Sequence, residues 1–344
     1  MSVTIKDVAK LANVSISTVS RVLNGNVIVS QEKVDRVMAA AEQLQFVPSA
    51  IAQSLKHQKT HKIGMLVSDL SVSFFPGILS ILEQGLAEDG FQIIAANCYD
   101  NPDTEIRLIE NMVRDRVDAL LVNPSDCNTE RLQEIQNSGI PILSYDRHPS
   151  SHQFPSVYVD KAKGIYDLLC YLYMMGHRRF CFITGPKDLS TNVDRLLGIQ
   201  KFIQEYKIPE ENFDCFYGKY SSRYGCQIFQ ETAFEKDAPT AYVAGSISIM
   251  EGIVEYCNQV EIRIPEDVSL ACFGTFRYAN LVQPKLLHVD DEYRAIAEQL
   301  LVWLRTVLID EKQLSPNVES VIIPKLVLGN SCGAPRKGNL NRKL

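Results

Sequence analysis

Residues 4–26 read TIKDVAKLANVSISTVSRVLNGN, and the folding of the N-terminal part of the chain is decided here. Ile5, Val8, Ala9, Leu11 and Ala12 recur at helical spacing. Asn13-Val14 interrupt that run. Ser15 offers a side-chain oxygen to cap a second helix, whose apolar face is Val19, Val22 and Leu23. Asn24-Gly25-Asn26 end it. Ser30 can cap a third helix, with Val34, Val37, Met38, Ala41 and Leu44 turned inward. Two helices joined by a tight turn, the second polar on its outer face, make a helix-turn-helix. The outward residues of that second helix are Ile16, Ser17, Ser20 and Arg21. Arginine can bond guanine O6 and N7 in the major groove, serine serves either base type, and isoleucine can touch a thymine methyl. A three-helix adaptor with a solvated face is the plainer alternative.

Beyond this head, Pro48 opens a helix-capable segment to Leu55 that is too short to be stable alone in water, followed by the polar stretch KHQKTHK. From Ile63 the texture changes to alternating apolar strands and amphipathic helices. Strands are expected at 63–69, 91–97, 119–123 and 141–146, with helices such as 77–89 and 104–116 between them. A second series is expected to start at 156–160 and to continue at 179–185, 241–245 and 269–274. Apolar strands alternating with helices imply parallel sheets covered on both faces. The expected fold is therefore a small all-α helix-turn-helix head on an α/β body of two lobes with parallel sheets. Ligands of such bodies lie beyond the C-terminal ends of the strands, in the cleft between lobes. The expected boundaries are 1–47 for the head, 48–61 for the connecting segment, 62–329 for the body, and 330–344 for a polar, basic, disordered tail.

The net charge of −6 hides an asymmetry: residues 1–62 hold six Lys, two Arg and four acids, so 8 − 4 = +4, leaving −10 for the rest. A basic head on an acidic body suits a polyanion-binding module joined to a domain that does not bind polyanions. The start MSVTIKDVAK has no apolar leader core, and no apolar run is long enough to span a bilayer, so a cytoplasmic protein without membrane attachment is expected. The nine cysteines form no CxxC pair and no zinc spacing with histidine, so reduced thiols, no metal and no cofactor are expected. No P-loop, GxGxxG, HExxH or GxSxG occurs, and no catalytic residue is assigned. His177, in MGHRRF, follows Gly176 at a helix-to-strand turn, where a structural role is expected rather than that of a catalytic base.

The stretch TIKDVAKLANVSISTVSRVLNGN strongly resembles the N-terminus of the lactose/galactose repressor (LacI/GalR) family. The likeness continues through VSQEKVDRVMAAAEQLQFVPSAIAQSLK and IGMLVSDLSVSFF, and reappears at MGHRRFCFITGP, DRLLGI and IPEDVSLACFG, covering residues 3 to 329. The resemblance implies a DNA-binding transcription regulator, a repressor of carbohydrate genes, whose body resembles periplasmic sugar-binding proteins. It implies that Ile16 and Ser17 choose the operator sequence and that Thr18, Ser20, Arg21 and Asn24 contact bases and backbone. It matches Pro48–Lys56 to a hinge helix that folds on operator DNA, and Leu55 to the apolar wedge that each subunit of a homodimer inserts into the minor groove. The C-terminal tail lacks the leucine heptads of the family's tetramers, so a dimer on a palindromic operator is expected.

For the effector, strand ends supply Asn123, Asp146 and Asp160, although such residues often cap the next helix instead. Arg195 stands where the family places an effector-binding arginine. Arg147, Thr191, Ser246 and Thr275 complete the candidate set, and Phe74 with Phe75 can stack on a sugar face. Two departures bear on the ligand. Neutral-sugar binders of the family read GFDD or GYDD where this chain has Phe273-Gly274-Thr275-Phe276, and the usual Asn-Asp pair is absent from VAGSISIMEG. Without those acids an anion is better tolerated, and Arg147 and Arg195 can pair with one. The segment FGTFRYANLVQPKLLHVDDEY also looks like the phosphosugar-responsive members. The expected effector is thus a sugar or sugar phosphate. The alternatives are a regulator that has lost small-molecule control or answers to a protein co-regulator, and, further off, a sugar-binding protein or an enzyme.

Overall fold

The computed structural model describes residues 3–23, 29–46, 59–149, 153–275, 283–338 and 340. The chain divides into two units, Met1–Thr60 and His61–Leu344.

In the first unit, α1 (Ile5–Ala12), α2 (Ile16–Leu23) and α3 (Gln31–Gln43) follow the apolar spacing. Thr4 and Asp7 close a capping box at the start of α1, with Asp7 accepting from the Thr4 backbone N–H at 2.9 Å and from its hydroxyl at 2.7 Å. Asn13 ends α1 in the left-handed region, φ 52°, which asparagine tolerates better than most residues. Ser15 Oγ then accepts from the Thr18 backbone N–H at 3.2 Å. Ser30 stands at the N-cap of α3, but its side chain makes no capping bond. The core is Val8, Ala9, Ala12, Val19, Val37 and Ala40. Met38, expected inside, is 53% exposed, and Leu11, one of the residues at helical spacing, is 46% exposed. At 100° per residue each lies off the stripe that its helix buries, and Ala40 takes the inward place on α3. Asn24, Leu55 and the segment Pro48–Lys56 lie outside the described residues.

The body carries two six-stranded sheets. The first contains β1 (Lys62–Val67), β2 (Gln92–Asn97), β3 (Ala119–Val122), β4 (Ile142–Tyr145), β5 (Ser156–Val159) and β11 (Glu319–Ile322), in the order β11-β5-β4-β3-β1-β2, all parallel. Its helices include α4 (Phe74–Leu86), α5 (Pro102–Arg114) and α6 (Thr129–Asn137). The second contains β6 (Phe180–Thr184), β7 (Phe213–Tyr217), β8 (Ala241–Ala244), β9 (Ser269–Phe273), β10 (Leu287–Val289) and β12 (Leu326–Val327), in the order β12-β10-β9-β8-β6-β7. Only β12 of this sheet runs antiparallel. Its helices are α7 (Lys161–Met174), α8 (Ser190–Tyr206), α9 (Ser222–Thr232) and α10 (Ile247–Gln259), while α11 (Tyr293–Leu308) returns to pack on α4 of the first lobe.

The lobe division differs from the expected one. The strand at 156–159 pairs with β4, Ser144 opposite Ser156, and so closes the first lobe instead of opening the second. The chain crosses between lobes three times, after β5, after β10 and after β11. The tail differs too. Residues 330–338 were expected to be disordered, yet Ser331 is fully buried and its hydroxyl donates to Leu270 O at 2.6 Å. Gly333 O receives His177 Nε2 at 3.0 Å, and Arg336 Nη1 donates to Asp267 O at 2.8 Å. Polar tail residues are ordered here because the backbone of the second lobe gives them hydrogen-bond partners.

Candidate functional site

The reading face of the head follows from helical geometry. With Val19 buried, Ile16, Ser17 and Arg21 emerge on the exposed side of α2, and Thr18 and Ser20 are half-buried at its edges. Ile16 is 45% exposed, which a core residue would not be. Ser15 Oγ lies 2.8 Å from both Ser17 Oγ and Thr18 Oγ1, so the first turn of α2 is tied together before any partner arrives. Arg36 of α3, not singled out in the sequence, donates to Ala12 O and Asn13 O at 3.1 and 2.9 Å and pins the turn between the two helices.

In the body a cavity of about 470 Å³ opens where strand ends of both lobes converge. Of the effector candidates, Phe74, Asp146, Arg147, Thr191, Arg195, Ser246 and Thr275 line it. Asn123 does not. It is fully buried behind Asp146, to whose carboxylate it donates at 3.0 Å. Asp160 caps α7 by accepting from Lys163 N at 2.8 Å, and Ser246 caps α10 from Ile249 N at 3.3 Å while still facing the cavity. Phe75 lines the cavity beside Phe74 and packs edge-on against Tyr145 beneath it.

The first lobe builds its side of the cavity from ion pairs. Arg147 Nη2 meets Asp100 Oδ1 at 2.6 Å, and Lys161 Nζ meets Asp146 Oδ1 at 3.2 Å. Burial opposes the Arg147 charge, but Asp100 and Asp146 outweigh it and hold its pKa above the ordinary value. Burial likewise pushes the Asp146 carboxyl up, and Lys161 and Arg147 more than reverse this. The second lobe holds its charges with neutral groups. Arg195 Nη1 donates to Asn192 Oδ1 and to Tyr220 Oη, both at 3.0 Å, and its guanidinium lies 4.7 Å from the centre of the Phe273 ring. Asp291 accepts from the backbone N–H of Thr275 at 3.1 Å and from its hydroxyl at 2.8 Å. Burial raises the Asp291 pKa to about 6, against the Thr275 hydrogen bonds and helped by Asp290 and Asp146. Across the cleft mouth, His148 Nε2 of the first lobe lies 3.1 Å from Asp194 Oδ2 of α8.

Two buried donors, Nε of Arg147 and Nε of Arg195, have no hydrogen-bond partner among the described residues. Asp291, Asp100, Lys161, Asn192 and Tyr220 were not singled out from sequence. The strand-end rule would have reached Asp291 and Tyr220 had β10 and β7 been read as strands. The inference that acids are missing from the pocket is therefore corrected: Thr275 stands where a carboxylate was sought, and Asp291 supplies one beside it. His177 is locked between Thr240 Oγ1 at 2.8 Å and Gly333 O, and burial lowers its pKa to about 4. No group of three or more His, Cys, Asp or Glu among the described residues could hold a metal ion, and no helix among them is long and apolar enough to cross a membrane.

A helix-turn-helix head and a two-lobe body with a polar cavity define the class: a DNA-binding transcription regulator with an effector domain. Residues 4–49 match the model for bacterial regulatory proteins of the lacI family, and residues 169–332 that of the periplasmic binding protein-like domain. The HTH-type transcriptional repressor PurR of Klebsiella pneumoniae (strain 342) is 30% identical, across 94% of this chain and 95% of that protein. Catabolite control protein A of Priestia megaterium is 28% identical, across 88% and 92%. The lac repressor dimer bound to operator and the anti-inducer ONPF superposes with a TM-score of 0.81 at 21% identity, covering 97% of this chain and 100% of that one. The chain belongs to the lacI family of bacterial regulatory proteins.

Proposed function

We propose that α2 offers Ile16, Ser17, Thr18, Ser20 and Arg21 to the major groove of a palindromic operator bound by a homodimer. The interlobe cavity takes a sugar or sugar phosphate whose binding changes that grip, and the controlled genes serve carbohydrate uptake or catabolism. The chain acts by binding and not by catalysis. The observation that carries the effector half is the convergence of Arg147, Arg195, Asp146 and Asp291 from both lobes on the wall of one cavity. The related lac repressor, solved as a dimer on operator, supports the DNA half. A ligand changes DNA affinity only through different affinities for two states of the body, and a cavity walled by both lobes is where such a difference arises.

Operator binding measured by fluorescence anisotropy, with a panel of sugars and sugar phosphates, tests this. The expected result is tight, salt-sensitive binding to a palindrome, changed about tenfold or more by one compound. Tight binding that no compound changes would remove the sugar switch and favour a protein co-regulator.

A further inference from the structure

We propose that Asp291 sets the charge of the effector, so that the cavity takes a neutral, hydroxyl-rich molecule and turns away its phosphorylated form. This deepens the sugar reading of the cavity and rests on it. Among the cavity carboxylates, Asp100 is held by Arg147 at 2.6 Å, Asp146 by Lys161 at 3.2 Å, and Asp69 accepts from the Ser71 backbone N–H at 2.9 Å. Asp291 has no ion pair among the described residues, and Thr275 holds it by one backbone N–H and one hydroxyl. That hydroxyl also lies 2.6 Å from Asp290 Oδ1, and its single proton can serve only one of the two acids. A carboxylate has about four lone-pair sites, so Asp291 keeps acceptor capacity toward the cavity.

Arg195, on the wall of the same cavity, offers the complement: a guanidinium held by the neutral groups of Asn192 and Tyr220 and by no carboxylate. A polyol hydroxyl donates and accepts. It can satisfy Asp291 with its proton and Arg195 with its lone pairs. A phosphate group offers acceptors only. It can pair with Arg195, but it meets Asp291 as a like charge in a site of low polarisability. The charged groups around Asp291 are Asp290 on its own segment, Asp69, Asp100, Asp146, Arg147, Lys161, Arg195 and Lys219 in the cavity wall, and His288 and Arg294 in the adjoining groove. Because burial brings the Asp291 pKa to about 6, mild acid neutralises it and should relax the exclusion.

Calorimetry on the full chain tests this with glucose, fructose, ribose and trehalose, each against its phosphate and sulfate monoester. At about pH 7.5 the neutral member should bind about tenfold or more tighter than either ester. Toward about pH 5.5 the preference over the sulfate ester should narrow, since that ester keeps one charge throughout and the change is then the protein's. In Asp291→Asn, checked for a single cooperative melting transition, the neutral sugar should weaken and the preference should fall to about threefold or less at either pH. The wild-type pH series stands alone if the variant does not fold. Tighter binding of a phosphate ester by the wild type, or a preference that neither pH nor Asp291→Asn alters, overturns the inference and leaves the sugar reading intact. Binding of no panel member overturns the sugar reading itself and takes this inference with it.

Discussion

The head and the body both set polar side chains where a partner must meet them, but by opposite means. In the head, Ile16, Ser17 and Arg21 stand exposed on α2, and six small apolar residues on other faces make the core. In the body, Arg147 and Arg195 are buried, and Asp146 and Asp291 are half-buried in the cavity wall, bonded to the backbone or side chains of neighbouring strand ends. An exposed face can be altered without touching the core. A wall of buried charges cannot, because each charge is also bonded to a structural neighbour, a charge in the first lobe and a neutral group in the second. Recognition and stability should therefore be one property in the body and two in the head.

The largest expected break of that contrast is Arg147→Ala. Removing one partner of a buried pair strands the other, here Asp100, and costs about 3–4 kcal/mol of body stability together with effector affinity. Urea unfolding and calorimetry read the two effects. Lost binding with unchanged stability would show that the body, like the head, separates the two.

Long, strongly patterned elements were legible in the sequence. All eight body strands read from apolar runs exist, because a strand buried on both faces must be nearly continuous in Val, Ile, Leu and Ala. Strands whose apolar run is broken by polar residues or is only three residues long were not. The three-residue β10 in LLHVDD carries too little pattern, so Asp291 at its end went unseen. The half-buried β7, with polar Asp214 and Cys215 in it, hid Tyr220 in the same way. Lobe membership of β5 was also illegible, since an apolar tetrapeptide does not say which sheet it joins. Eight of the ten effector candidates reached the wall because strand ends and helix starts converge there; Asn123 fell behind it because its side chain satisfies Asp146, and Asp160 is spent capping α7.

The acid range sharpens the contrast next. His177 has its pKa lowered to about 4 by burial, so the folded chain binds this proton less readily than the unfolded one. Its contribution is present above the unfolded value near 6.5 and is lost as pH falls through about 4, amounting to about 3 kcal/mol. Asp291 runs the other way. Its raised pKa makes its contribution largest below the unfolded value of 3.8, and it disappears as pH rises through about 6. Its carboxyl still meets the cavity's solvent, so the effect is discounted to about 2 kcal/mol. Between pH 6 and 4 the two nearly offset one another. Denaturant midpoints across that range should be steeper in Asp291→Asn, which leaves His177 unopposed, than in wild type. Equal slopes would remove Asp291 as a determinant of acid stability, and a flat profile in Asp291→Asn would remove His177. The head holds neither group, and its operator affinity should follow its own course.

Arg21→Ala should then lower operator affinity by about 2 kcal/mol, as the loss of a bidentate base contact does, with stability within about 0.5 kcal/mol of wild type. Anisotropy and thermal melting together decide it. A comparable loss of stability would mean that Arg21 is part of the head's structure after all.

Arg36 is the place where the head approaches the body's behaviour, and so the smallest and most discriminating test. Its Nε and Nη2 serve the carbonyls of Ala12 and Asn13, which sit at the C-terminal end of α1 where helical carbonyls lack intrahelical partners. A cation there also favours the helix dipole. Its side chain is 42% exposed, and its contact to Glu32 is loose at 3.8 Å, so water replaces much of what is lost. Arg36→Gln should cost about 1 kcal/mol of head stability, and operator affinity should fall by a similar small amount, because the turn it pins sets how α2 is presented. Effector binding should not change. If affinity falls as far as in Arg21→Ala while the melting curve stays put, Arg36 meets DNA directly and the reading face extends beyond α2. If both fall together, the head, too, holds one residue in which recognition and stability cannot be pulled apart.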